Sequence, residues 1–266
     1  MLIYALLYLT GYQQITLDDI RRFRQLGSRC EGHPEYHPDR GIETTTGPLG
    51  QGIANAAGMA VAEAFLSHML GTDIIDHYTY ALVGDGCLQE GIGQEIISLA
   101  GHLRLGTLVF LWDDNRMTDD GPIGLALSDD MSARFRLSNW HVQEVDGHDA
   151  DAVASAILVA KKDPRPSMIA CRTIIGRGLV GVEGTRAAHS APLDTHQTDA
   201  ARRPELAASA IRDPRPHPHR LARCRPPQPA RIRRLAGADR RTATGKAARA
   251  RPVARRAPAR TLARRA

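Results

Sequence analysis

No two cysteines in this 266-residue chain stand at CxxC spacing, and the four present are Cys30, Cys87, Cys171 and Cys224. They are too few and too scattered for the disulfide frame of a small secreted protein, so a reduced, cytoplasmic setting is expected. The same spacing argues against a zinc site. No apolar stretch at the start is long enough to span a bilayer, since Met1 to Thr10 gives only ten residues. It also lacks a basic leader and a small-residue cleavage site, so no signal peptide and no membrane association are expected. This stretch reads as a buried helix. The last 66 residues contain no Phe, Trp or Tyr at all. Without aromatics they have no platform for stacking bases.

The formal charge of +6 hides two unlike parts. Residues 1–200 hold 15 Lys+Arg and 26 Asp+Glu, a net of −11; residues 201–266 hold 20 and 3, a net of +17. The first part has the balance of an enzyme body, with room for one sizeable core. The second holds nine prolines and many Arg-Pro and Arg-Arg pairs, with no helical or strand period. Such composition predicts a disordered tail. An Arg/Pro/Ala-rich stretch of this kind also reads as GC-rich DNA translated in the wrong frame, the reading preferred here over an evolved basic tail. Arginine clusters attract phosphates nonspecifically, yet nucleic acid is not the expected partner.

Within residues 1–200, strand and helix signals alternate. Tyr78 to Val83 reads as a buried strand stopping at Gly84-Asp85-Gly86. Ile92 to Leu103 reads as a helix, and Leu108 to Trp112 as a second strand stopping at Asp113-Asp114-Asn115. Strand, helix, strand over this length is one βαβ unit. Its right-handed crossover places both strand ends at one edge of a parallel sheet, where α/β proteins hold ligands. An Asp oxygen and an Asn amide oxygen meeting there suit a hard cation such as Mg²⁺. Gly86 leaves room for a diphosphate to approach the backbone. Further helices are expected over Leu2–Leu9, Leu17–Leu26, Gln51–Leu70 and Ala150–Lys161, and further strands over Trp140–Val145 and Ser167–Thr173. Residues 27–46 read as loop, with Gly32, Pro34, Pro38 and Gly41 as breakers. The fold expected is α/β, a parallel sheet flanked by helices.

Five blocks, in order, resemble transketolase: "GHPEYHPDRGIETTTGPLGQGIANAAGMA", "HYTYALVGDG", "GDGCLQEG" with "DDNRMT", "WHVQEVDGHD" and "GTRAAHSAPL". GDG followed by Asn after nearly thirty residues is similar to the thiamine-diphosphate motif. The resemblance runs from Met1 to about Thr198 and implies the diphosphate domain of the thiamine-diphosphate-binding fold. It implies thiamine diphosphate and Mg²⁺ (or Ca²⁺) as cofactors, sugar phosphates as substrates, and a homodimer or a separate pyrimidine-domain partner. The family reaction is two-carbon ketol transfer from a ketose phosphate to an aldose phosphate.

By resemblance, Asp85 and Asn115 are metal ligands and Met117 offers a backbone carbonyl. Gly86 and Asn115 contact the diphosphate, and Gly47, Pro48 and Leu49 form a loop over the cofactor. His189 contacts the diphosphate side and the substrate, and His33 lines the substrate channel. Plainer readings stand beside these: an N-cap carboxylate for Asp85, a glycine-proline turn for the loop, polar surface for the histidines. Glu90 and Glu95 match an interface carboxylate cluster or are ordinary helix carboxylates, whereas His148 and Asp149 read as a turn and a helix cap. Asp119 departs from the pattern, which has an apolar residue supporting the cofactor ring. The family's HGS-type segment, the strand leading to it, and the second domain with its activating glutamate have no counterpart here. The resemblance therefore predicts a partial domain with an exposed apolar sheet edge, inactive by itself or one half of a split enzyme.

Overall fold

The computed structural model describes residues 1–190, and the expectations for residues 191–266 and Cys224 lie outside them. Four parallel strands form the central sheet in the order β1-β2-β6-β5: β1 (Thr79–Gly84), β2 (Leu108–Asp114), β5 (His141–Asp146) and β6 (Ser167–Arg172). The register pairs Gly84 with Asp113 and Asp114 with Arg172, so all four strands end along one edge. β2 and β6 are central and almost wholly buried, with apolar interiors, as strands covered on both faces require.

Two layers of helix cover the sheet. On one face α3 (Gln51–Leu70) and α5 (Gly91–Leu103) pack against β1 and β2 through Ile53, Ala56, Ala57, Ala60, Ile97 and Ala100. The small residues of α3 allow the close approach expected of them. Gly93 is required there, since a Cβ would meet the Cys87 carbonyl at 2.6 Å. By length and composition α3 could cross a membrane, yet it buries Glu63 at its centre, where the Thr107 hydroxyl donates to the carboxylate at 3.1 Å. On the same face Phe110, Phe135 and Trp140 form an aromatic cluster, and Trp140 Nε1 donates to the Ile97 carbonyl at 2.8 Å. Phe135 comes from α6 (Met131–Leu137), a helix absent from the sequence reading. On the other face α7 (Ala150–Ala160) packs on β2 and β6 through Ala156 and Ala160.

α7 starts as expected at Asp149, whose carboxylate accepts from the amides of Asp151 and Ala152 at 3.0 Å. A separate cluster joins α1 (Leu2–Thr10) to the following segment through Tyr4, Leu7, Ile15, Cys30 and Ile42. There one expectation fails. α2 covers only Leu17–Arg21 rather than reaching Leu26. Its Thr16 forms a capping box with Asp19, but Arg24 adopts φ 64° so that its amide donates to the Cys30 carbonyl at 2.9 Å. That bond across six residues, together with Gly27 at φ 77°, overrides the continued helical pattern. β1 lies at the sheet edge, and its Leu82 is 70% exposed, in line with the exposed apolar edge expected.

Candidate thiamine diphosphate and metal site

Asp85 follows β1 directly and opens the short helix α4 (Asp85–Gln89). α4 stops at Glu90, whose extended backbone separates it from α5, the helix expected over Ile92–Leu103; α4 itself was not read from the sequence. The Asp85 side chain is turned inward and only 3% exposed. Trp112 Nε1 donates to its Oδ1 at 3.1 Å, while its Oδ2 is buried and has no partner. Burial, and then the nearby Asp114 charge, push this carboxyl up to about 6; Trp112 and the backbone amides of Met117 and Arg116 pull the other way.

The chain leaving β2 turns back sharply toward Asp85. Arg116 adopts φ 60°, an uncommon conformation for a side-chain-bearing residue. Its Nε donates to Asp114 Oδ1 at 2.8 Å, which holds the turn. Met117 and Thr118 form β3, paired antiparallel with β4 (Gly121–Pro122). The Ile123 amide donates to the Arg116 carbonyl at 3.0 Å, so Met117, one residue on, is a position whose N–H and C=O both point away from β4. Its N–H donates to Asn115 Oδ1 at 2.9 Å. Asp85, Asn115 and Met117 therefore lie close together.

A second group assembles around the glycines. A Cβ on Gly47, at φ 137°, would meet the His33 ring at 2.5 Å, so His33 lies directly on the Gly47-Pro48-Leu49 loop. Leu49 reaches back over the GDG turn, where a Cβ on Gly86 would meet its Cδ1 at 3.0 Å. Gly50, at φ 80°, lets the loop enter α3 beside Glu90 and Ile92. His33, the loop and Gly86 are therefore contiguous. His189 lies on the exposed α8 (Ala187–Ser190), whose Ser190 hydroxyl donates to Asp119 Oδ1 at 2.7 Å. Asp119 is exposed and so bonded, which meets the condition under which a carboxylate there is tolerated. Among the described residues no hydrogen bond or ion pair joins His33 or His189 to Asp85 or Asn115. Glu90 and Glu95 are exposed, and His148 serves the fold, its Nε2 accepting from the Ile174 amide at 2.9 Å.

Sequence similarity and structural similarity both point to one family. A family described as "Transketolase, thiamine diphosphate binding domain" matches residues 1–207. The chain belongs to that family. The transketolase of Cereibacter sphaeroides is 54% identical over 202 residues, covering 76% of this chain and 31% of that protein. The crystal structure of Campylobacter jejuni transketolase superposes with a TM-score of 0.73 at 41% identity, covering 76% of this chain and 32% of that one. A Pichia stipitis transketolase in complex with sedoheptulose 7-phosphate gives 0.73 at 37% identity, covering 93% and 36%. The chain spans about a third of the length of these relatives. As a member of the family it has the parallel sheet flanked by helices of transketolase structures.

The contacts of three residues around Asp85 and Asn115 escaped the sequence reading: those of Trp112, Asp114 and Thr173. Asp114 is buried and ion-paired at 2.8 Å to both Arg116 and Arg172. A tryptophan in a strand reads as core, and its role as a donor to Asp85 depends on the β1–β2 pairing. Nothing short of that pairing signals it.

Proposed function

We propose that this chain binds thiamine diphosphate together with Mg²⁺, or Ca²⁺ in its place, at the strand ends carrying Asp85 and Asn115. The supporting observation is the Asp85 Oδ2, a buried carboxylate oxygen that makes no hydrogen bond although the Met117 and Arg116 amides lie near this carboxyl. Leaving such an oxygen unsatisfied costs the folded state, and a cation removes the cost. The donor set suits a hard divalent ion: one carboxylate oxygen, one amide oxygen from Asn115 and one carbonyl from Met117. Among the described residues no group of three or more His, Cys, Asp or Glu is placed to hold a metal. The remaining positions would therefore go to diphosphate oxygens and water, which makes metal and diphosphate binding interdependent. Gly86 keeps the backbone open to the diphosphate, and the Gly47-Pro48-Leu49 loop with His33 closes over the same turn. His189 enters from the α8 side.

Thiamine diphosphate supplies, when bound, the carbon nucleophile that carries a two-carbon ketol unit. The reaction we infer is the family's transfer of that unit from a ketose phosphate to an aldose phosphate. By the family resemblance, His33 and His189 are the groups of this chain assigned to the substrate. That activity is proposed for the chain as part of a homodimer or with a pyrimidine-domain partner, in the cytoplasm. Calorimetric titration of the 266-residue chain with thiamine diphosphate and Mg²⁺ tests the site. Wild type should bind, and Asp85→Ala should bind at least 100-fold more weakly. Equal binding by both would overturn the assignment.

A further inference from the structure

We infer that Asp113 is a positioning residue that holds the Asn115 amide with its oxygen toward the metal side, an inference resting on the metal site proposed above. A carboxamide has two ends of nearly the same shape, so sterics alone leave its orientation open. Its neighbours decide it. The Met117 amide, which can only donate, lies 2.9 Å from Asn115 Oδ1. Asp113 Oδ2, which accepts when ionised, lies 3.0 Å from Asn115 Nδ2. Flipping the amide would place donor against donor at Met117 and oxygen against carboxylate at Asp113. It would also turn an NH2 group, which no cation accepts as a ligand, toward the metal.

Asp113 is itself fixed from the neighbouring strand. The Thr173 hydroxyl, one residue past β6, donates to Asp113 Oδ1, and the Arg172 side chain binds Asp114 beside it. The end of β6 therefore sets Asp113, and Asp113 sets Asn115. Without Asp113 only the Met117 N–H would favour the productive orientation.

Two readouts on the full chain test this, with the thermal midpoint reporting that each variant is folded. Hydrogen exchange at the Met117 amide reports the amide orientation without any metal. Mn²⁺ affinity in the presence of thiamine diphosphate, read by paramagnetic resonance, reports its consequence. Asp113→Ala should speed Met117 exchange at least ten-fold and weaken Mn²⁺ at least ten-fold. Asp113→Asn should change both less than three-fold, because its oxygen can still face Asn115 while its new NH2 donates to the Thr173 hydroxyl. A loss in Asp113→Asn as large as in Asp113→Ala would mean that charge, rather than orientation, is what Asp113 supplies. The deciding arm is Asn115→Asp, whose two oxygens make orientation irrelevant. In that background Asp113→Ala should no longer weaken Mn²⁺. Equal weakening in both backgrounds, or unchanged Met117 exchange in Asp113→Ala, would overturn the orienting role. Absence of Mn²⁺ binding by wild type would instead overturn the metal site itself.

Discussion

Asp85 and Asp114 close neighbouring strands, and both are almost completely buried, 3% and 4% exposed, but their surroundings differ. Asp114 sits between Arg116 and Arg172, each 2.8 Å away, and every charge it brings inside is answered by this chain. Asp85 has a neutral indole N–H on one oxygen and no hydrogen bond on the other, with only the Met117 and Arg116 amides nearby. The pair separates two uses of a buried carboxylate. Asp114 shapes the turn that carries Asn115 and Met117, whereas Asp85 is held in a state that a bound cation would relieve. Proximity couples them, since the Asp114 charge helps to raise the Asp85 carboxyl.

The largest effect that would sharpen this contrast is on stability against pH without metal. The folded-state value of Asp85, about 6, exceeds its ordinary 3.8. The folded state therefore holds this proton more tightly than the unfolded chain, and stability falls as pH rises from about 4 through 6. A shift of that size corresponds to at most about 3 kcal/mol. Asp85→Asn should remove this fall and raise the metal-free melting midpoint at pH 7.5, even as it weakens cofactor binding. A lower midpoint for Asp85→Asn at that pH would break the contrast.

Asp114→Asn should act in the opposite direction, lowering stability by about 1–3 kcal/mol, because two guanidinium groups lose their partner. Both arginines are half exposed and rehydrate, which keeps the loss below that of a fully buried pair. Denaturant melts at pH 7.5 check the sign, and a stabilised Asp114→Asn would refute it. Trp112→Phe should cost about 1–2 kcal/mol at neutral pH, by removing the one side-chain donor to Asp85. In a pH titration of metal-free stability its descending limb should move to higher pH.

The smallest effect belongs to the exposed contact between Asp119 and Ser190. Asp119→Ala should change global stability by less than about 1 kcal/mol. It should nevertheless loosen α8, seen as faster amide exchange at His189. Unchanged exchange there would show that this contact does not hold the helix.

Much of this architecture is readable in residue order. The βαβ unit, the GDG turn and Asn115 follow from apolar periodicity and from punctuation by glycine and asparagine, because strands covered on both faces must be continuously apolar. The β3–β4 hairpin and α6 were not readable. β3 and β4 have two residues each and carry no period, and α6 is held by Phe135 in an aromatic cluster with Phe110 of β2 and Trp140, the residue before β5. α2 was read too long because Arg24 answers to Cys30, a partner that no local pattern reveals.

The sequence by itself determined the family, the parallel α/β sheet and the placing of Asp85 and Asn115 at two neighbouring strand ends, since each is written in local spacing and side-chain chemistry. Only the tertiary structure decided which buried carboxylate is neutralised and which is left open, and which partners the two ends of the Asn115 amide meet. Those outcomes depend on the register that sets Trp112 beside Asp85 and the end of β6 beside Asp113 and Asp114. A hydrogen bond acts over about 3 Å, and residues 27 to 60 positions apart in the chain come within that distance only when the strands have paired.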